Sequence, residues 1–227
     1  LAEVDKDEED QALNLGWTPL DAFFYRTDKQ LWIQSRTTRI DLEKFHVKKK
    51  HRQYLKNGVT GKYYPDTNPW QEKCDEIFEK YVKYKGYDDH GSQLVDKPYG
   101  NKDYFVYWHN DKIIAYTQLT RFKKSVVAGE FAWDYENPEL SLGTVAQNFE
   151  CTLYRDMRFM YYYSSYAYEN VCEYKSHYKG FEWWTGREWS ENKELFRSLL
   201  DKDSKVESLK DLYHRHKDYY KEIKKNG

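Results

Sequence analysis

The order of elements in the middle of the chain constrains its fold most. Three strand patterns follow one another: DYFVYWHN (103–110), IIAYTQLTRF (113–122) and SVVAGEFAWDY (125–135). Only tight-turn residues separate them, at Asn110 and Asp111 and at Lys123 and Lys124. β-Branched and aromatic residues favour a pleated, half-buried surface, and joints this short force neighbouring strands to run antiparallel. After the third strand, ENPELSLGT reads as a loop, residues 145–157 as a helix and FMYYY (159–163) as a further strand. A strand that returns after one helical crossover runs parallel to the strand before it when both share a sheet. A meander followed by a β–loop–helix–β unit predicts an α+β fold with a mixed, mainly antiparallel sheet flanked by helices.

The rest of the chain adds to this frame. LAEVDKDEED (1–10) is acidic and reads as a solvated segment or frayed helix start. GWTPLDAFFYR (16–26) reads as a turn and a short aromatic strand, and LWIQSRTTRIDL (31–42) as a second strand. FHVKKKHRQYLKN (45–57) reads as a basic helix with Val47, Tyr54 and Leu55 inward and Lys48, Lys49, Arg52 and Lys56 outward. Residues 70–85 repeat Trp70, Cys74, Ile77, Phe78, Tyr81 and Val82 at helical spacing. Residues 87–101 read as a loop, 169–177 as a short helix and 206–225 as an amphipathic helix that packs on the body or on a partner. The expected organisation is an acidic segment at 1–15, one domain over 16–200 and a terminal helix over 201–227.

Composition excludes several function classes. Aromatic residues are 19% of the chain, so Tyr, Trp and Phe must build much of the core. A formal net charge of -1 gives no global attraction to nucleic acid, and only the local basic excess over 36–62 makes that case. Cys74, Cys151 and Cys172 are far apart, which argues against a metal knuckle or disulfide framework and for a reducing, cytoplasmic setting. The histidines show no metal-ligand spacing, and no apolar run is long enough to cross a bilayer. No cofactor is implied.

Two places attract chemical attention. Ser141, Leu142, Gly143 and Thr144 open a helix whose free N–H groups and partial positive charge suit a phosphate or another anion. An ordinary capped helix start is the plainer account. RFMYYYSSYAYENVCEYK (158–175) is a wall of tyrosines that fits a buried strand, a stacking surface or a lined pocket. Strand alternation sends Tyr161 and Tyr163 to one face and Tyr162 to the other.

GW…FFYR followed by SRTTRIDLEKFHVKKKHRQYLKN, and LSLGTVAQNFECTLYRDMRFMYYYSSYAYENVCEYKSHYK further on, resemble the arginyl- and leucyl-tRNA–protein transferases. The matching places include Ser141, Leu142, Gly143, Tyr161, Tyr162, Tyr163, Tyr166, Cys172, Lys175, Tyr178 and Lys179, and the resemblance spans residues 16–184. It is to a divergent member: Thr27, Asp28, Lys29 and Gln30 follow Tyr25 and Arg26 where the family carries cysteines, and no cysteine precedes Cys74.

The resemblance implies a GNAT-like N-acyltransferase fold. It also implies transfer of Arg or Leu from charged tRNA to the N-terminal amine of an acceptor protein or peptide. In that fold the two parallel strands splay, and the donor enters between them with its phosphate near the next helix start. On this expectation Asp134, Glu136, Tyr162 and Tyr163 are catalytic. Ser141, Leu142, Gly143, Thr144, Tyr166, Cys172, Lys175 and Lys179 bind the donor. Arg36, Arg39, Lys48, Lys49, Arg52 and Lys56 hold tRNA phosphates or the acceptor. The alternatives are an acetyl-CoA-dependent N-acetyltransferase of the same fold, for which SLGT carries few glycines, and a degenerate module that binds nucleic acid or peptide.

Overall fold

The computed structural model describes residues 3–20, 23–25, 37–86, 100–167 and 170–205. Helix α1 (Glu9–Asn14) precedes a hairpin of β1 (Thr18–Leu20) and β2 (Phe23–Tyr25). Then come β3 (Thr37–Asp41), the single turn α2 (Lys49–Arg52), β4 (Thr60–Pro65) and α3 (Gln71–Lys85). The meander is β5 (Asn101–His109), β6 (Lys112–Arg121) and β7 (Ser125–Trp133), followed by α4 (Leu142–Asp156) and β8 (Tyr161–Tyr166). A 3-10 helix (Asn170–His177), β9 (Phe181–Trp184), β10 (Trp189–Ser190) and α5 (Lys193–Asp203) complete the described chain.

Eight strands form one sheet in the order β10-β9-β3-β8-β7-β6-β5-β4. All pairs are antiparallel except β7 and β8, which run parallel through Ser125–Tyr161, Val126–Tyr162 and Val127–Tyr163. The α+β, mixed-sheet expectation therefore holds, and so does its one parallel joint. Asn110 and Asp111 both take positive φ (49° and 60°), as a two-residue hairpin turn matched to the strand twist requires. Gly86 ends α3 in the left-handed conformation, a position where a Cβ is unfavourable.

One face of the sheet packs on α4: Ile40, Phe105, Tyr107, Val126 and Tyr162 meet Val145, Ala146, Cys151 and Tyr154. On the opposite face α3 lays Cys74 and Ile77 on Val106, Tyr116 and Ala132, and α1 lays Ala12 and Leu13 on Phe122, Val127 and Tyr163. Helix α5 closes the far end with Phe196, Leu199 and Leu200 against Phe181 and Trp183.

Three expectations change. The acidic run 1–10 is not simply solvated, because Val4 packs against the cluster beneath α1 and Glu9, at the start of that helix, is buried. The basic stretch 45–57 is no continuous helix: it breaks into α2 and a 3-10 turn at Tyr54–Lys56. Lys48 at the N-cap supplies no acceptor, no acid lies in the first turn, Lys49 and Lys50 oppose the helix dipole at its start, and the clustered cations repel one another. Val47, Tyr54 and Leu55 still pack inward. Strands β4, β9 and β10 and helix α5 were not expected. The amphipathic segment 206–225 and Arg36 lie outside the described residues.

Candidate active site

Strands β7 and β8 part just beyond Val127 and Tyr163. The cause is local. Leu119 faces Ala128 on β7, but Thr117 faces Phe131, so an extra residue is inserted there. Such a bulge bends the strand that carries it, and Gly129 permits the close approach: an added Cβ would lie 2.8 Å from the Gln118 carbonyl oxygen. Glu130 sits in this bulge, and Tyr116 donates its hydroxyl to Glu130 Oε1. Glu130 is partly buried, and that burial holds its carboxyl above the usual range.

On the other strand, Ser164 is the first residue past the pairing. Its carbonyl oxygen accepts from Lys175 Nζ at 2.6 Å, and its hydroxyl lies 2.8 Å from Thr38 Oγ1. Lys175 is only 8% exposed, and burial pushes its amine down to about 8. Cys172 stands one 3-10 turn earlier on the same face.

Helix α4 begins beside this gap. Ser141 at its N-cap has φ 50° and ψ 46°, a left-handed conformation that is unfavourable for any residue but glycine. Its carbonyl accepts from the N–H groups of Thr144 and Val145 at 2.9 and 3.0 Å, and no side chain caps the helix. A Cβ at Gly143 would meet nothing nearer than the Phe131 ring at 3.7 Å, so internal packing does not demand glycine there. Gln147 Nε2 and Asn148 Oδ1, in the first two turns, are buried without a partner among the described residues.

The tyrosine run packs into core on both faces, Tyr162 on one and Tyr163 on the other. Tyr162 donates to Glu150 Oε2 at 2.5 Å, and Tyr107 donates to Glu150 Oε1 at 2.7 Å. Burial raises the Glu150 carboxyl and pushes both hydroxyls well above their ordinary value. Tyr163 is buried beneath α1 and Trp189, its hydroxyl 3.4 Å from Arg39 Nη1. Both side chains are buried, Tyr162 donating to Glu150 and Tyr163 accepting from Arg39, and neither contact places its hydroxyl in the gap. Tyr166 continues β8 and pairs with Thr37.

Asp134 and Glu136 lie elsewhere as well. They line a groove of about 480 Å³ with Trp70, Ile77, Lys80 and Trp108. At 100° per residue, Trp70, Lys73, Ile77 and Lys80 share one side of α3, and Asp75 lies on the other. Glu130 senses Asp75, so α3 stands between it and the groove. Asp134 Oδ1 accepts the Glu136 N–H at 3.0 Å, a turn-stabilising role.

Arg39 is buried and engaged through Nε and Nη1. Its Nε donates to Glu182 Oε2 at 2.6 Å and Nη1 to Asn14 Oδ1 at 2.7 Å. Its guanidinium lies between the Tyr161 and Trp189 rings at 3.8 and 4.0 Å. It is a structural ion pair, not a surface for phosphate.

A basic surface does form beside α4, with a different membership. Lys48 feels the positive charge of Lys50, Lys179 and Arg197, and Lys193 that of Lys48, Lys179 and Arg197. Burial and this mutual repulsion lower the pKa of both lysines. Two acids temper it: Glu173 lies 3.2 Å from Arg197 and 3.8 Å from His177, and Glu191 acts on Lys193. His51 anchors the surface to α4: its Nδ1 lies 3.4 Å from Asn148 Nδ2, and its ring packs on Tyr178. Lys49, Arg52 and Lys56 are exposed on the same segment. Lys50, His177, Lys193 and Arg197 escape sequence reading because three separate elements bring them together.

Burial, with Lys50 and Lys48, lowers the His51 pKa, so the unfolded chain binds the extra proton first. The stabilisation is present above pH 6.5 and is lost as pH falls toward the folded value. Urea melts at pH 7.5 and 5.5 are expected to show a loss on acidification that is smaller in His51→Gln.

No protein-family model and no curated protein matches the chain. Among solved structures it is similar to the C-terminal domain of a putative lysylphosphatidylglycerol synthetase from Agrobacterium fabrum. The TM-score is 0.50 and the identity 14%, over 62% of this chain and 49% of that one. It is also similar to L-PGS from Bacillus licheniformis (TM-score 0.47, 10% identity, 71% and 50% covered) and to FemX (0.49, 11%, 73% and 61%). The chain spans about half to three-fifths of the length of these structures. The likeness is one of fold. With the single parallel pair, its splay and the α4 crossover, the chain has the GNAT-like N-acyltransferase fold.

Proposed function

We propose that this chain is an acyltransferase that moves an aminoacyl group from charged tRNA to the N-terminal amine of a protein or peptide. The observation that carries this reading is the basic surface of Lys48, Lys50, Lys179, Lys193 and Arg197 beside α4 in a chain of net charge -1. A positive field concentrated in one place suits a phosphate backbone better than a small neutral substrate. The uncapped start of α4 would hold the terminal phosphate, and the gap between β7 and β8 would take the ester. Lys175 would lend positive charge to the wall of that gap, where the carbonyl oxygen becomes an oxyanion. The ester is already activated, so positioning and one proton acceptor suffice.

The test is direct. Purified protein receives tRNA charged with radiolabelled Arg or Leu, or labelled acetyl-CoA, together with peptides bearing free N-termini. Label passing to peptide from tRNA supports the reading, and label passing only from acetyl-CoA replaces the donor.

Docking has its own expected result. Lys50 and Lys179 are exposed, so Lys50→Glu with Lys179→Glu should leave the melting temperature unchanged. Affinity for tRNA should fall about tenfold or more, and the slope of log affinity against log salt should flatten by roughly 2. Unchanged affinity and slope at low salt would place the RNA elsewhere.

A further inference from the structure

We propose that Gln147 is the residue that selects an RNA ester as donor, by hydrogen bonding to the free hydroxyl beside the ester on the terminal ribose. This rests on the acyl-transfer reading above and deepens it. Gln147 lies in the second turn of α4 and is 8% exposed, yet its Nε2 meets no acceptor among the described residues. A buried amide donor without a partner is costly, and a bound group that accepts its hydrogen removes that cost. The phase of α4 aims it. Glu150 faces the sheet, where it accepts from Tyr107 and Tyr162. Phe149 marks one flank, packing on Tyr107 of β5 and beside Gly61 of β4. Thr144 and Cys151 mark the other flank, near Tyr178. At about 100° per residue Gln147 falls between Glu150 and Cys151, so it points to the side of β7 and β8, away from β4 and β5. It is also one turn nearer the helix start than Glu150. Gly143 at that start lies by the Phe131 ring, beyond the last β7–β8 pair. Asn148, whose Oδ1 is also unpartnered among the described residues, is turned to His51 instead.

The chemistry selects the ribose. The α4 start would hold the terminal phosphate, and Gln147 stands past Gly143 by about 6 Å along the helix axis. The next group inward from that phosphate is its ribose, and the ester lies beyond, against Lys175. An ester on one ribose oxygen leaves the neighbouring hydroxyl free. That hydroxyl both accepts and donates, and a carboxamide offers a donor and an acceptor side by side. The thioester of coenzyme A carries no hydroxyl on the carbon next to its acylated atom. A donor without that hydroxyl would leave Nε2 buried and unpaired. No bond forms or breaks at Gln147, so it sets specificity and position and moves no proton.

The experiment compares transfer by the full chain from three charged tRNAs, ending in adenosine, 2′-deoxyadenosine or 3′-deoxyadenosine. The last two carry the ester with no hydroxyl beside it. Wild type is expected to lose about tenfold or more in kcat/KM on the better of these two. Gln147→Met keeps the side-chain length without the amide, and Gln147→Asn withdraws the amide by one methylene. Each should lose a similar factor on ordinary tRNA and little more on the deoxy tRNAs. Gln147→Met should melt no lower than wild type, since it removes an unpaired buried donor. The ratio between substrates is taken within each variant, so a smaller folded fraction cancels. A merely structural glutamine would lower all three rates together and keep the wild-type preference, which would overturn the proposal. So would a wild type that transfers equally from all three. If no charged tRNA donates, with or without transfer from acetyl-CoA, the tRNA reading itself falls and this inference falls with it.

Discussion

Replacing Lys175 with Met is expected to abolish a rise in stability between pH 7 and 9.5. Lys175 is 8% exposed, and burial pushes its amine from the ordinary 10.5 down to about 8. Between those values the unfolded chain binds a proton that the folded chain has released, so stability increases with pH. The stabilisation is complete above 10.5 and is lost as pH falls through about 8. Wild type should therefore gain about 2 kcal/mol relative to Lys175→Met over that range, at 1.36 kcal/mol for each pKa unit. At pH 7 the variant escapes the burial of a charge but loses the donor to the Ser164 carbonyl, so the two proteins should differ little there. Lys175→Arg should be destabilised throughout, since a guanidinium cannot shed its proton. Denaturant melts in matched buffers read all three, and parallel pH profiles for wild type and Lys175→Met would show that the amine is not held at low pKa. The comparison matters for function, because an amine that releases its proton near pH 8 supplies charge to the cleft only below that value.

Local signals made the frame of the fold legible. Alternation and the Asn110–Asp111 turn defined the meander, and the length of the α4 crossover defined the parallel pair. The placement of the helix start at Ser141 was legible too, two residues from a glycine within a polar loop. What failed depended on neighbours distant in sequence. Arg39 looked like part of a basic stretch, but its partners Glu182 and Trp189 enter from β9 and β10, about 145 residues later. Tyr162 was read as a catalytic candidate, but Glu150 on α4 accepts its hydroxyl hydrogen bond in the core. The bulge on β7 had a readable signal, the isolated Gly129 within a strand pattern. Asp134 and Glu136 drew attention instead, because carboxylates at a strand end are conspicuous. They line a groove beside α3, and only packing fixes where α3 lies.

Arg39→Ala separates structure from recognition most sharply. Glu182 would be left buried, with Lys44 Nζ at 3.8 Å from its other oxygen as the nearest remaining cation among the described residues. Breaking a buried ion pair from one side costs about 3 to 5 kcal/mol. For a chain of 227 residues that corresponds to a fall in melting temperature of roughly 10 °C. Arg39→Lys should recover little of this. An ammonium cannot donate to Glu182 and Asn14 together while lying flat between the Tyr161 and Trp189 rings. Adding Glu182→Gln to Arg39→Ala should return part of the loss, because it removes the stranded charge, and a double-mutant cycle measures the coupling. At a temperature where Arg39→Ala is still folded, its tRNA affinity and salt slope should equal those of wild type. Lys50→Glu with Lys179→Glu should show the reverse, a normal melt with weakened, less salt-sensitive binding. A stable Arg39→Ala protein with reduced tRNA affinity would return this arginine to the RNA surface and would mean that the pair with Glu182 opens in solution.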